Sequence, residues 1–315
     1  MGKVRLIPFF CLELAFGLFR VHAGDMFVVK DKCYLPLFEN NKETRLFEKG
    51  KKGCNCDDLD TVLLPGSVIE VLGYKENGMA EVKCKMTEKV KHEGYVYKSS
   101  IENFCEKFEE GGVNRERSPM SLEEIRSVFK RCLDEKVPYC WGSNQFEKIS
   151  LSGVTFTSKN EGEQYECRGF DCSGLLYYIS DGTLPHATGA LKNFGTLLFT
   201  IEAGQIWHET FIKEVDQVVA KLKDTDFIVI KGHVIVAYNG GLIEFRSKDL
   251  GCCFTSPEDV ISQDESQSNK KDPVREKIKN PVTLRVYDLW VRAKNSKSRS
   301  DVWFMRWHPE CLRGK

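Results

Sequence analysis

Short segments of alternating apolar and polar residues, separated by turn signals, fill the first part of the chain. Pro65-Gly66 and Asn77-Gly78 supply two of the turns. The apolar segments are residues 26–29 (MFVV), 68–72 (VIEVL), 80–84 (AEVKC) and 94–97 (GYVY). A strand sends successive side chains to opposite faces, and an Asn-Gly pair closes a tight hairpin. Several short strands at this spacing predict a small all-β barrel or sandwich over residues 24–108.

A second domain is predicted after a polar, glycine-containing segment at residues 109–120, which we interpret as a linker. Ser121 and Glu124 have the spacing of a capping box, in which each side chain bonds the other residue's backbone N–H. Apolar residues then recur at helical spacing at Ile125, Val128, Phe129 and Cys132. These signals predict that a helix opens a domain over residues 121–315.

The remaining pattern of this second domain mixes helix and strand signals. A helix is expected at residues 170–181, and polar residues 262–281 are expected to form a surface loop. Strands are expected at residues 227–230, 233–238 and 242–245, with further candidates at 283–286 and 302–305. The predicted fold class is therefore α+β, with a helix packed on an antiparallel sheet and a small all-β unit before it.

Charge and hydropathy exclude some classes of partner. The chain has 46 basic and 46 acidic residues, so its formal net charge is zero. A nucleic-acid ligand would call for a basic excess to neutralise its phosphates, and we expect no such partner. The sequence contains no apolar run long enough to cross a bilayer, so no membrane span is predicted.

The first 23 residues have the features of an export signal. Lys3 and Arg5 form a positive start, and an apolar stretch at residues 6–19 follows, interrupted by Glu13. Small residues at Val21 and Ala23 fit a cleavage site. We expect an exported protein of the periplasm or cell envelope, with a buried N-terminal strand as the alternative interpretation.

Thirteen cysteines are present, and twelve would remain after removal of the signal. An exported protein with this many cysteines can form disulfides, but one catalytic thiol would leave an odd number to pair. Cys54 and Cys56, like Cys252 and Cys253, are too closely spaced for a zinc knuckle. The sequence therefore predicts neither a metal nor another cofactor.

A candidate nucleophile lies in the segment GFDCSGLL at residues 169–176. The pattern predicts that Cys172 stands at the start of a helix, where unpaired N–H groups and the helix dipole favour a thiolate. A thiolate is the attacking species in cysteine catalysis. We therefore expect Cys172 to have a lowered pKa and to act as the nucleophile.

His233 is the candidate base, because it begins a predicted strand and a thiol nucleophile needs an imidazole nearby. Glu244 in the next strand is the candidate group that orients the ring. A two-residue loop at residues 239–240 would put Arg246 opposite His233 and Glu244 on the diagonal, whereas a differently centred turn would pair residues 233 and 244 directly. His186 and His208 are rival bases, and His308 is expected to be structural.

Three segments together resemble a known family. DCSGLLYY at 171–178, GHVIVAYNGGLIEF at 232–245 and VPYCWGS at 137–143 are similar to the motifs of the NlpC-type papain-like cell-wall cysteine peptidases. The resemblance spans residues 137–246. Residues 24–108 resemble the bacterial SH3-like barrel that precedes such peptidases in a known arrangement.

The resemblance implies a role for each site residue. Cys172 would attack an amide carbonyl, His233 would act as base and then acid, and Glu244 would orient His233. Tyr139 would support the oxyanion hole. Asp171 and Ser173 would be substrate-binding residues, and the Asp171 carboxylate would bind a free amino group of the peptide.

The implied reaction is hydrolysis of the γ-D-glutamyl–diaminopimelate amide in peptidoglycan stem peptides or muropeptides, the activity of a D,L-endopeptidase. This sequence departs from the family pattern at Glu244, where histidine is usual. A thiol amidase or acyltransferase of the same fold remains open as an alternative, as does a non-catalytic wall-binding protein.

Overall fold

The computed structural model describes most of the chain and leaves several segments outside. The described residues are 21–39, 59–85, 90–108, 117–150, 166–246, 250–259, 272–295 and 300–307. Residues 1–20 of the signal predicted at 1–23, Cys54, Cys56 and His308 lie outside the described residues, as do residues 109–116 of the predicted linker and 262–271 of the predicted loop. The predictions for those segments stay predictions.

The N-terminal unit is an antiparallel sheet of seven short strands, and a short helix α1 (Lys98–Phe104) precedes the last of them. The strands are β1 (Met26–Val29), β2 (Leu35–Phe38), β3 (Leu59–Leu63), β4 (Val68–Tyr74), β5 (Met79–Lys85), β6 (Lys91–Tyr97) and β7 (Cys105–Lys107). Their order in the sheet is β3-β2-β6-β5-β4-β1-β7. All four strands predicted here are confirmed.

Turn chemistry and alternation explain this sheet. Gly78 has φ +79° between β4 and β5, a conformation that residues with a Cβ rarely adopt. In β6 His92, Gly94 and Val96 are buried, whereas the residues that alternate with them are exposed or half-buried. Alternate residues of this kind cover one apolar core, which includes Leu35, Ile69, Val82, Val96 and Ile101.

The rest of the chain builds a six-stranded antiparallel sheet with helices on both faces. Its helices are α2 (Leu122–Asp134), α3 (Gly174–Ile179), α4 (Thr188–Leu191), α5 (Glu209–Val219) and α6 (Pro281–Asn295). Its strands are β10 (Thr196–Ile201), β11 (Phe227–Ile230), β12 (His233–Tyr238), β13 (Gly241–Phe245), β14 (Cys252–Thr255) and β15 (Val302–Arg306), in the order β10-β15-β11-β12-β13-β14. A separate hairpin pairs β8 (Asn144–Ser150) with β9 (Glu166–Phe170). The α+β class is confirmed.

Alternation along the central strands divides the core in two. Val234 and Val236 pack with α2 and α3, in the same cluster as Cys172. Ile235 and Ala237 point the other way and pack with α5 and α6. Strand β12 therefore separates the helix that follows Cys172 from the C-terminal helix.

Three predicted elements need correction. The helix expected at 170–181 spans only Gly174–Ile179, because strand β9 continues to Phe170. The strand candidate at residues 283–286 lies within α6, where Pro281 starts the helix and buried residues recur at helical spacing. The surface loop expected to reach residue 281 ends earlier, since a 3₁₀ turn forms at Arg275–Lys277 and Ile278 is buried.

The two units pack directly against each other. Asn144 donates from Nδ2 to the carbonyl of Val62 at 2.9 Å. Arg117, at the end of the predicted linker, donates to Ser67 Oγ and to Asp181 Oδ1, both at 2.9 Å. These contacts join the N-terminal sheet to the segment around α3. No helix in the described ranges combines the length and hydropathy of a membrane span.

Candidate active site

Cys172 lies in the turn between β9 and α3, with 7% of its surface exposed. Its free thiol is 3.8 Å from Thr188 Oγ1, and the backbone N–H groups of Val234 and Ser173 lie close to the sulfur. Burial raises the pKa of this thiol to about 12, and the negative charge of Asp171 adds to the effect. The expected lowering of the pKa is therefore wrong for the structure, and the resting side chain is a neutral thiol.

Asp171 occupies the helix end that was predicted for the thiolate. Its Oδ1 accepts from the backbone N–H of Ser173 at 2.8 Å and of Gly174 at 2.7 Å. Its Oδ2 accepts from the N–H of Gly142 at 2.9 Å. The carboxylate satisfies the first donors of α3, which is why the helix end does not stabilise a thiolate at Cys172.

His186, considered above as a rival base, is the partner of Asp171. Its Nε2 lies 3.0 Å from both oxygens of that carboxylate, and its Nδ1 lies 2.6 Å from Thr61 Oγ1 in β3. Burial opposes both charges, but the attraction between the two groups lowers the pKa of Asp171 and raises the pKa of His186. The pair is thus a buried ion pair that ties the loop of Cys172 to the N-terminal sheet.

His208, the second rival, caps a helix. It precedes α5, and its Nδ1 accepts from the N–H of Phe211 at 3.2 Å. This contact gives it a structural role at the start of that helix.

His233 and Glu244 form a buried hydrogen-bonded pair. Tyr238 pairs with Gly241 around a two-residue loop, and continuing that register puts Glu244 one diagonal step from His233. The ring Nε2 is 2.9 Å from Glu244 Oε2. The first of the two registers considered above is therefore the one observed, and Nδ1 is the ring nitrogen that Glu244 leaves for a thiol.

Cys172 and His233 flank the same peptide unit. The backbone N–H of Val234, the residue after His233, lies close enough to the sulfur to lower the pKa of the thiol. Among the described residues no hydrogen bond joins the sulfur to the ring, whose partner is Glu244. Catalytic hydrogen bonds are often poorly aligned without substrate and tighten when it binds. The structure therefore brings the predicted nucleophile and base to one end of β12.

Two arginines hold Glu244. Arg246 donates from Nε to Oε1 at 2.7 Å. Arg285 donates from Nε to Oε1 at 2.7 Å and from Nη2 to Oε2 at 2.8 Å. Burial would raise the pKa of Glu244, but the bonds from His233 and Arg285 hold it far below its usual range. No motif in the sequence signals the role of Arg285, because its contact with Glu244 is made from a distant helix.

The other predicted site residues surround the same turn. Ser173 donates from Oγ to Asp171 Oδ1 at 3.1 Å. Tyr139 bridges to Phe170, and burial together with the nearby Cys172 and Asp171 raises the pKa of its phenol. Five of the six predicted site residues thus lie on two features, the turn before α3 and the β12–β13 hairpin, and Tyr139 lies beside the first of them through its bridge to Phe170. No group of three potential metal ligands occurs in the described part of the chain.

The solved structures that are similar to this chain include the following three. NlpC2 from Trichomonas vaginalis has 11% identity and a TM-score of 0.23, with 74% of this chain and 67% of that chain covered. A NlpC/P60 family protein from Bacillus cereus ATCC 10987 has 15% identity and a TM-score of 0.28, with 75% and 59% covered. NlpC1 from T. vaginalis has 10% identity and a TM-score of 0.24, with 75% and 89% covered.

This chain therefore spans less than two thirds of the B. cereus protein. The sequence matches no protein-family model, and it matches no curated protein sequence.

Proposed function

We propose that this protein is a cysteine peptidase with Cys172 as nucleophile, His233 as base and Glu244 as the residue that orients the base. One observation carries the proposal: a free thiol lies close to the backbone N–H of Val234, and the preceding residue, His233, is buried and hydrogen-bonded to Glu244. A nucleophile, a base and a group that orients the base are the parts that thiol catalysis requires.

The chemistry starts from a neutral thiol. Because burial raises the pKa of Cys172, His233 Nδ1 removes the proton as the sulfur attacks the amide carbonyl. The new C–S bond gives a tetrahedral oxyanion, which the N–H of Cys172 and the Tyr139 hydroxyl would stabilise. The ring then returns the proton to the departing amine as the C–N bond breaks. Water, deprotonated by His233, hydrolyses the thioester and regenerates the thiol.

The proposed substrates are peptidoglycan stem peptides or muropeptides, cut at the γ-D-glutamyl–diaminopimelate amide. The support is the set of motifs around Tyr139, Cys172 and His233. The predicted contact of Asp171 with a substrate amino group stays a prediction. That carboxylate already accepts backbone hydrogen bonds and pairs with His186, so a substrate amine would have to bind to oxygens that are already hydrogen-bonded.

We further propose that residues 24–108 form an SH3-like module and that residues 1–23 direct export to the periplasm or cell envelope. The short antiparallel strands and the basic, apolar start of the sequence support these two proposals. The packing of Asn144 on Val62 favours a role for the N-terminal sheet in positioning the loop before α3.

Mass spectrometry of defined stem peptides digested by the full chain tests the function. The expected product ends in D-glutamate and disappears with Cys172→Ala. Cys33→Ala is the matched control, because it removes a half-buried thiol of the N-terminal sheet and leaves the site intact. Cleavage that survives Cys172→Ala, or a folded protein that cleaves none of the peptides, would contradict the proposal. A stable thioester with a lipid acyl group would instead indicate an acyltransferase.

A further inference from the structure

Glu244 lies beneath the C-terminal helix α6 with its side chain closed off from solvent. Its carboxylate makes four nitrogen–oxygen contacts shorter than 3 Å, two at each oxygen. Oε1 receives Arg246 Nε and Arg285 Nε, while Oε2 receives His233 Nε2 and Arg285 Nη2. Arg285 alone contacts both oxygens, so its planar fork fixes the plane of the carboxylate as well as its position.

Arg285 and His233 are neighbours through one atom. Both bond to Oε2, so the guanidinium nitrogen and the ring nitrogen lie within about 6 Å of each other. The ring is buried and about a fifth of the Arg285 side chain is exposed. A positive charge at this distance in a buried site disfavours a second positive charge on the ring.

The other charged and titratable groups around the pair leave an excess of positive charge. Arg246 adds a second cation on Glu244 Oε1. Asp288 of α6 faces Arg285, but it also pairs with Arg275 at 3.3 Å. Cys253 of β14 is kept neutral because burial raises its pKa. Cys172, in the turn before α3, is also a neutral thiol.

We propose that Arg285 is a positioning residue for the base: it clamps Glu244 so that His233 presents Nδ1 towards Cys172, and its charge keeps the ring neutral at rest. The proposal rests on the proposed function in taking His233 as the base. It also gives the C-terminal helix, which lies outside the motif-bearing residues 137–246, a part in the site. A neutral ring accepts a thiol proton, whereas an imidazolium cannot.

Two substitutions separate the clamp from the charge. Arg285→Gln removes the charge and keeps a hydrogen-bond donor, whereas Arg285→Lys keeps the charge and loses the two-pronged contact. Arg275→Gln is the control, because Arg275 borders the same helix and pairs with Asp288 rather than Glu244. The His233 titration midpoint is measured by NMR in a Cys172→Ala background, which removes the coupled thiol. Peptide hydrolysis is measured with Cys172 intact.

We expect Arg285→Gln to move the His233 titration midpoint upward by about one pH unit, and Arg285→Lys and Arg275→Gln to leave it in place. We expect Arg285→Lys to lower kcat by about tenfold or more with little change in KM, since a lysine holds one oxygen at a time. Circular dichroism checks that each variant is folded.

A His233 midpoint that is unchanged in folded Arg285→Gln would overturn the charge effect, and an unchanged kcat in Arg285→Lys would overturn the clamp. If Arg285→Gln does not fold, the kcat of Arg285→Lys alone tests the proposal. Failure of the proposed function looks different: alkylation of Cys172 by iodoacetamide would then be insensitive to His233→Ala, whatever happens at Arg285.

Discussion

Asp171→Asn should destabilise the protein strongly, because Asp171 is the anion of a buried ion pair. The carboxylate accepts from three backbone N–H groups and faces the fully buried ring of His186. Asparagine keeps one acceptor oxygen, but its NH₂ group would face either the Gly142 N–H or the ring. Removing one partner of a buried pair costs about 3–5 kcal/mol of unfolding free energy, since the other charge is left uncompensated.

Urea unfolding at pH 6, followed by tryptophan fluorescence, measures this loss as a lower midpoint at unchanged slope. Asp134→Asn is the control, because Asp134 forms an exposed pair with Lys130 on α2 and should change stability by less than about 0.5 kcal/mol. An Asp171→Asn protein no less stable than the Asp134→Asn control would refute the assignment of a buried ion pair at this loop.

Three further predictions concern the same region. Asp171 raises the pKa of His186, so the ion pair stabilises the folded state fully at pH values below the pKa of an unfolded histidine, and this stabilisation is lost as pH rises. In the His186→Gln variant, the free energy of unfolding in urea should no longer show this decrease between pH 6 and 9. Thr188→Val should move the alkylation profile of Cys172 to higher pH, since the Thr188 hydrogen bond lowers the thiol pKa; an unmoved profile would contradict this. Gly142→Ala should lower the free energy of unfolding, measured in urea, by about 3 kcal/mol or more, because Gly142 has φ +69° and a Cβ there would lie 2.2 Å from the Leu59 carbonyl oxygen. An unchanged free energy of unfolding would show that the neighbouring strand moves to make room for the methyl group.

Local signals in the sequence were sufficient where neighbouring residues alone decide the structure. The capping box of Ser121 and Glu124 starts α2 one residue later, as predicted. Asn239 and Gly240 both have positive φ and close a two-residue loop, which brings Glu244 to His233. Such features form within a few residues, so their spacing in the sequence carries the information.

The features that the sequence did not predict depend on competition between neighbouring side chains for the same donors, or on contacts between residues that are far apart in the chain. Asp171 and Cys172 both precede the first N–H groups of α3, and the sequence does not indicate which of the two side chains accepts hydrogen bonds from them. In the short window of residues 282–286 the apolar residues alternate like a strand, whereas the whole of Pro281–Asn295 follows helical spacing. Arg285 reaches Glu244 across 41 residues, a contact that only the packing of α6 on the sheet creates.

The most direct test of the Cys172–His233 pair is the pH dependence of Cys172 alkylation by iodoacetamide, followed by peptide mapping because other thiols are present. We predict that the rate in the native protein rises in two steps, one as the ring becomes able to accept a proton and one at alkaline pH as the thiol ionises. His233→Ala should keep only the alkaline rise, in line with a thiol pKa of about 12. Superimposable profiles for the two proteins would contradict the assignment of His233 as the base for Cys172.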